Sequence, residues 1–188
     1  PYEKIKNSTN ILLDYWINKA RESLVGMSKK DFIGLVNDIV LAFDKLEIIR
    51  EEKPKVGIVG EILVKYHPVA NNNLIETLEA EGAEVLISDL TDFVNYCMYN
   101  ANFKHDHLGK GLLGKLAGNL GIAYVESYRK HLRAALEASE KFTAPLHIED
   151  LARLGERVVS LGNQSGEGWL LTAEMMELIH LGFQNIVC

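Results

Sequence analysis

The stretch Lys55–Leu90 limits what this chain can fold into more than any other. It reads K-V-G-I-V-G-E-I, a polar loop, N-N-N-L-I-E-T-L-E-A-E-G, and then A-E-V-L-I-S-D-L. The first block is short, apolar and β-branched, the pattern of a strand buried on both faces of a parallel sheet. The second has helical spacing at Leu74, Ile75 and Leu78. Asn73 is placed as its N-cap, with Glu76 three residues on, and Gly82 as its C′ residue. The third block reads as another buried strand. Strand, helix and strand in that order predict a right-handed βαβ unit, and the loop after the first strand falls where α/β proteins place ligands.

The rest of the chain supplies helices around that unit. Ile11, Leu12, Tyr15, Trp16, Lys19 and Ala20 follow helical spacing to about Leu24. Ser28 is a good N-cap for a second helix from Lys29 to about Leu46, with an apolar stripe through Phe32, Leu35, Val36, Ile39, Val40 and Phe43. Arg50–Pro54 is charged, ends in proline and reads as a linker. Beyond the βαβ unit, Phe93–Asn102 reads as helix, Leu108–Gly121 as a glycine-rich amphipathic stretch, and Ile122 to about Ser139 as helix. Ile148–Val159 again has helical spacing. The loop L-G-N-Q-S-G-E-G-W precedes a helix from Thr172 to Leu181, closed by Gly182, and Asn185-Ile186-Val187 reads as a third strand. The expected fold is α/β: parallel strands near 55–61, 84–88 and 185–188 flanked by helices, with residues 1–52 as an N-terminal helical segment and 53–188 as the α/β domain.

Composition removes several function classes. The net charge of −6 argues against a nucleic-acid-binding surface, because neutralising phosphates needs clustered Lys and Arg. No apolar run approaches the roughly 18 residues of a membrane helix, and no secretory signal opens the chain. Two cysteines do not make the disulfide framework of a small secreted domain, so a cytoplasmic setting is expected. The chain opens at Pro1 without a methionine and stops at Cys188 directly after a strand, which suggests a piece of a longer polypeptide.

Several motifs carry candidate chemistry. Gly109-Lys110-Gly111-Leu112-Leu113-Gly114-Lys115 satisfies the G-x-x-x-x-G-K part of a phosphate-binding loop. Leu116 follows where a hydroxyl should hold Mg²⁺, however, and no buried strand precedes it, so glycines easing close helix packing or a bend fit better. His105-Asp106-His107 offers three metal-ligand types, but the histidines are not at the i, i+4 spacing of a helical zinc pair. A solvated polar turn is expected there. Cys97, among Phe93, Tyr96 and Tyr99, is expected to be a buried inert thiol.

Two loops hold the catalytic candidates. Gly57-x-x-Gly60 falls short of the dinucleotide fingerprint, but Glu61, Lys65, Tyr66 and His67 follow the strand's carboxyl end. Backbone amides there could receive an anion or a carbonyl, or Asn71–Asn73 could merely cap the next helix. In Asn163–Trp169, Gly166 and Gly168 flank Glu167 and would let the backbone approach a ligand closely. Glu167 could then act as acid, base or contact, or the segment could be a tight turn packed by Trp169. Cys188 ends a strand, where a thiolate could project into the ligand crevice or be purely structural.

Three segments together resemble one family. They are P-Y-E-K, the run K-P-K-V-G-I-V-G-E-I-L-V-K-Y-H-P-V-A-N-N-N-L-I-E-T-L-E-A-E-G-A-E-V, and G-N-Q-S-G-E-G-W-L-L-T-A-E-M-M-E-L-I-H-L-G-F-Q-N-I-V-C. This pattern is similar to the 2-hydroxyacyl-CoA dehydratase component family, in the version fused into large proteins related to CoA-substrate-specific enzyme activases. The resemblance is weakest over Phe93–Glu140. It implies Rossmann-like domains around a cysteine-bound iron–sulfur cluster and an ATP-hydrolysing activase module as electron-transfer partner. In that family a strand like N-I-V-C runs into a loop with a second cysteine, which makes Cys188 the candidate cluster ligand. A single thiolate cannot hold a cluster, so the other ligands are expected in the remainder of a parent polypeptide.

The resulting expectation is a fragment of an iron–sulfur dehydratase-like or reductase-like protein acting on a CoA thioester or other small substrate. Glu61, His67 and Glu167 are its candidate catalytic residues, and Gly166, Trp169 and Cys188 its candidate cofactor contacts. The alternative is a non-catalytic docking or scaffold module of a multidomain redox protein.

Overall fold

In the structure, a computed structural model describing residues 1–188, Lys55–Ile58 forms strand β1. It is flanked in parallel by β2 (Glu84–Ile87) and β3 (Asn185–Val187), in the order β2-β1-β3. The register sets Gly57 opposite Leu86 on one side and Ile186 on the other. Eight helices complete a mixed α/β fold: α1 (Ser8–Ser23), α2 (Lys29–Asp44), α3 (Ile62–Tyr66), α4 (Leu74–Ala80), α5 (Leu90–Leu108), α6 (Leu112–Glu137), α7 (Ile148–Glu156) and α8 (Trp169–His180). None is long and apolar enough to cross a membrane.

The strands are less buried than their composition suggests. Ile58 and Val59 are buried, but β2 is half-buried throughout, and Asn185 and Val187 are exposed. In a three-stranded sheet two of the strands are edges, so only the central one is covered on both sides.

The chain forms two compact units. One comprises Pro1, Glu52–Ala123 and Leu146–Cys188, and the other comprises Tyr2–Glu51 and Tyr124–Pro145. In the first, α8 packs on the sheet through a cluster of Val59, Leu178 and Phe183, joined by Leu86, Met175 and Ile186. Gly57 permits this: a Cβ there would lie 2.8 Å from Leu178 Cδ1 and 2.9 Å from Ile186 Cδ1. A larger cluster holds α5, the start of α6, α7 and α8 together through Tyr96, Ile122, Ile148, Leu151, Trp169 and Ala173. Where α6 crosses α5, a Cβ on Gly118 would stand 2.6 Å from the Met98 carbonyl oxygen, so glycine lets the two helices touch.

The second unit contains α1, α2 and the end of α6. Ser28 accepts from the Asp31 amide while Asp31 accepts from the Ser28 amide, completing the capping box of α2. At the other end of α2, the Lys141 ammonium donates to the carbonyls of Phe43, Asp44 and Leu46, placing a cation where the helix dipole favours one. Phe32 packs edge-to-face on Tyr128 at 5.3 Å. Arg129 and Arg133, both buried, share the Glu126 carboxylate.

Local expectations needed four corrections. The polar loop after β1 contains the short helix α3. Asn73 sits at the N-cap of α4 with left-handed φ 54°, and its side chain makes no capping bond; Asn71 Oδ1 accepts the Leu74 amide instead, at 3.3 Å. His105-Asp106-His107 lies in the last turn of α5 and is not a free turn, with His107 stacked on Phe103 at 4.3 Å. Finally, α8 begins at Trp169, so Thr172 lies inside it.

Two glycines test the packing account in opposite directions. Gly57→Val should destabilise the protein by about 1–3 kcal/mol through overpacking against Leu178 and Ile186. Gly34→Ala, on exposed α2 with open space around it, should stabilise by about 0.5–1 kcal/mol. Thermal unfolding of both variants checks this pair of signs.

Candidate functional site

Parallel strands deliver their carboxyl ends to one edge of the sheet, and the chain segments that follow them gather there. From β1 comes Gly60, with φ 147°, then Glu61 and α3. After β2 come Ser88 and Asp89, with Asp89 Oδ1 accepting the Thr91 amide at 2.9 Å to start α5. β3 ends in Cys188. The Val59 amide donates to the Val187 carbonyl at 3.0 Å, which sets Cys188 at the same edge as Gly60.

Glu61 and Glu167 meet at the start of α3. Glu61 Oε2 accepts the Val64 amide at 3.0 Å, and Glu167 Oε1 accepts the Ile62 amide at 3.1 Å across 105 residues of sequence. The two carboxylates thus occupy amides that could otherwise receive an anion. His67 is not brought to them. It caps the opposite end of α3, with its backbone amide on the Leu63 carbonyl and its side chain exposed.

The loop that carries Glu167 is held from beneath. The Tyr96 hydroxyl lies 3.2 Å from the Gln164 carbonyl oxygen and 3.1 Å from that of Gly166, and the Trp169 amide donates to the Asn163 carbonyl at 2.8 Å. Gly166 adopts φ 61° with open space around it. Gly168 adopts φ 46°, and a Cβ there would stand 2.0 Å from the Asn163 carbonyl oxygen, so no other residue fits. Trp169 is 0% exposed. Its indole donates to Asn100 Oδ1 at 2.9 Å, and its ring packs on Tyr96 and Tyr99. It supports the loop from the core and presents no face at the surface.

Below α3 lies a pair that motif reading passed over. Lys65 Nζ donates to both oxygens of Glu174, at 2.9 and 3.0 Å, and the two side chains are 2% and 1% exposed. Burial pushes the Glu174 carboxyl up, and the Lys65 ammonium and the Ser88 hydroxyl pull it partly back. The Tyr66 hydroxyl donates to the Ser88 carbonyl, and burial together with Glu174, Asp89 and Asp92 raises the phenol well above its ordinary value. A signal for Glu174 was present: it stands four residues from both Leu170 and Leu178, on the otherwise apolar buried stripe of α8.

The thiols and the lysine-bearing glycine run fare differently. Cys97 is exposed and not buried, because Tyr96 and Asn100 take the inward face of α5. Desolvation, then the charge of Glu167, raises its thiol, which keeps it a poor nucleophile. Cys188 is also exposed. No group of three or more His, Cys, Asp or Glu side chains is arranged to hold a metal ion. Two thiols are too few for a cluster, so the donor set of this chain does not by itself fit an iron–sulfur centre. Lys115, in the first turn of α6, pairs with Asp106, in the last turn of α5, at 2.6 Å, so the glycine run joins two helices and lacks the strand-to-helix geometry of a phosphate loop.

No family model, curated protein or solved structure matches the chain.

The loop geometry can be tested by stability. Gly168→Ala should cost more than the ~1–3 kcal/mol of backbone strain, because its Cβ also meets the Asn163 carbonyl, and Tyr96→Phe about 1 kcal/mol from its lost hydrogen bonds. Urea unfolding monitored by Trp fluorescence should report both losses.

Proposed function

We propose that this chain is a Rossmann-like module of an iron–sulfur dehydratase-like or reductase-like protein, resembling the 2-hydroxyacyl-CoA dehydratase components. Its role would be to frame a site for a CoA thioester or another small substrate in the cytoplasm. The observation that carries this reading is the meeting of Glu61 and Glu167 beyond the carboxyl end of β1, with Cys188 following β3 at the same edge of the sheet. These residues come from two distant segments of the chain, both among those that the resemblance rests on. Glu61 and Glu167 stand where a substrate's polar groups would be oriented, and Cys188 would give one thiolate to a cluster. The other ligands, and the ATP-hydrolysing activase module that supplies electrons, would belong to other polypeptide segments.

A second reading has its own support. Both carboxylates already serve α3 amides and Trp169 is in the core, as expected if the loops only brace the fold of a docking or scaffold module.

Anaerobic reconstitution of the parent protein separates the two. If Cys188 is a ligand, Cys188→Ser should lower iron content and visible absorbance to a half or less of the parental values, and unchanged iron would overturn the assignment. If Glu61 orients substrate, Glu61→Gln should reduce turnover of a CoA thioester at least about ten-fold, one lost charge-assisted contact. Unchanged turnover would favour the scaffold.

A further inference from the structure

The segment from Glu61 to Asn73 is attached to the rest of its unit in an unusual way. Neither hydrophobic cluster contains any residue of it. Two apolar side chains of α3 point outward, Leu63 63% and Val64 49% exposed, Ile62 and Tyr66 are half-buried, and the only side chain that α3 buries fully is Lys65. Its outward hydrogen bonds run from the Ile62 amide to Glu167, from Lys65 Nζ to Glu174, and from the Tyr66 hydroxyl to the Ser88 carbonyl.

Within itself the segment is closed. Asn71 Nδ2 donates to the Val64 and Lys65 carbonyls, the Asn71 amide donates to the His67 carbonyl, and the Asn73 amide to that of Pro68. At its two ends the backbone is unusual: Gly60 at φ 147°, and Asn72 and Asn73 at φ 56° and 54°.

From this geometry we infer that residues 61–73 form a lid over the carboxyl ends of β1 and β2, latched by Glu167 and Glu174 and pivoting at Gly60 and Asn72-Asn73. The energetics favour a latch over a weld. Burying a Lys–Glu pair removes two ions from water, and their attraction in the interior roughly offsets that desolvation. Opening returns both charges to water, whereas an apolar anchor would lose its burial energy outright. A segment held by polar contacts, with few buried apolar atoms, opens at a lower free energy than the core beneath it. Opening would uncover Glu174 and Ser88, which lie under α3 and which the closed form withholds from solvent. The inference stands whether the site beneath is catalytic or not.

Lys65 reports the motion, because its amine is inaccessible while the lid is shut. In the folded full chain, reductive methylation of Lys65 should run slower than that of exposed Lys110. It should still run faster than amide hydrogen exchange in β1 allows for global unfolding. Glu167→Ala should accelerate Lys65 labelling about ten-fold, the effect of losing one charge-assisted hydrogen bond, while leaving β1 exchange unchanged. The lid is overturned if wild-type Lys65 reacts only at the rate of global unfolding. It is equally overturned if Glu167→Ala speeds β1 and Lys65 alike. Should that variant misfold, the wild-type comparison of Lys65 with β1 decides by itself.

Discussion

The approach of α8 to β1 at Gly57 is the contact on which the α/β unit depends. With no side chain at that point, Leu178 and Ile186 close over the middle of the central strand. The helix then lies near enough for Glu174, one turn before Leu178, to reach beneath α3. The loop before α8 is placed in the same way, and Glu167 with it. One missing Cβ therefore fixes both the core and the polar contacts at the strand ends.

Those contacts are electrostatically lopsided. Glu61, Glu167, Glu174, Asp89 and Asp92 gather at or near the strand ends, and Lys65 is the cation that faces them most directly. Helix-start amides take up part of the excess: Ile62 and Val64 donate to two of the carboxylates, and Thr91 to a third. Backbone dipoles thus do at this edge what additional lysines would do on an ordinary surface.

Strand positions and the N-terminal helices were legible because hydrophobic period and capping chemistry are local, whereas α5 and α6 both extend beyond the spans expected of them. The K-V-G-I block, the Ser28 cap and the stripe of α2 all lie where their spacing places them. Short-range ambiguity produced the errors. Asn71, Asn72 and Asn73 are chemically alike, and only the left-handed backbone at the last two selects Asn71 as the cap. α3 has outward-facing apolar residues, so no amphipathic pattern announces it. At the site, Glu61 and Glu167 were singled out for the strand-end and glycine-loop positions they hold. Their meeting at one helix start is a tertiary fact across 105 residues. Lys65 and Glu174 went unpaired for the same reason, although a glutamate on an apolar stripe is itself a sign that a buried cation waits elsewhere.

Lys141 adds a constraint in time. Its ammonium closes the end of α2 from 95 or more residues further along the chain, and Ser139 bonds Asp44 at 2.6 Å beside it. During synthesis, α1 and α2 are complete long before these partners exist. Strands β1 and β2, from Lys55 to Ile87, are translated in the interval, and β3 only after it. The second unit can therefore close only after Lys141 has emerged, and the first unit only later still, once α8 and β3 are made.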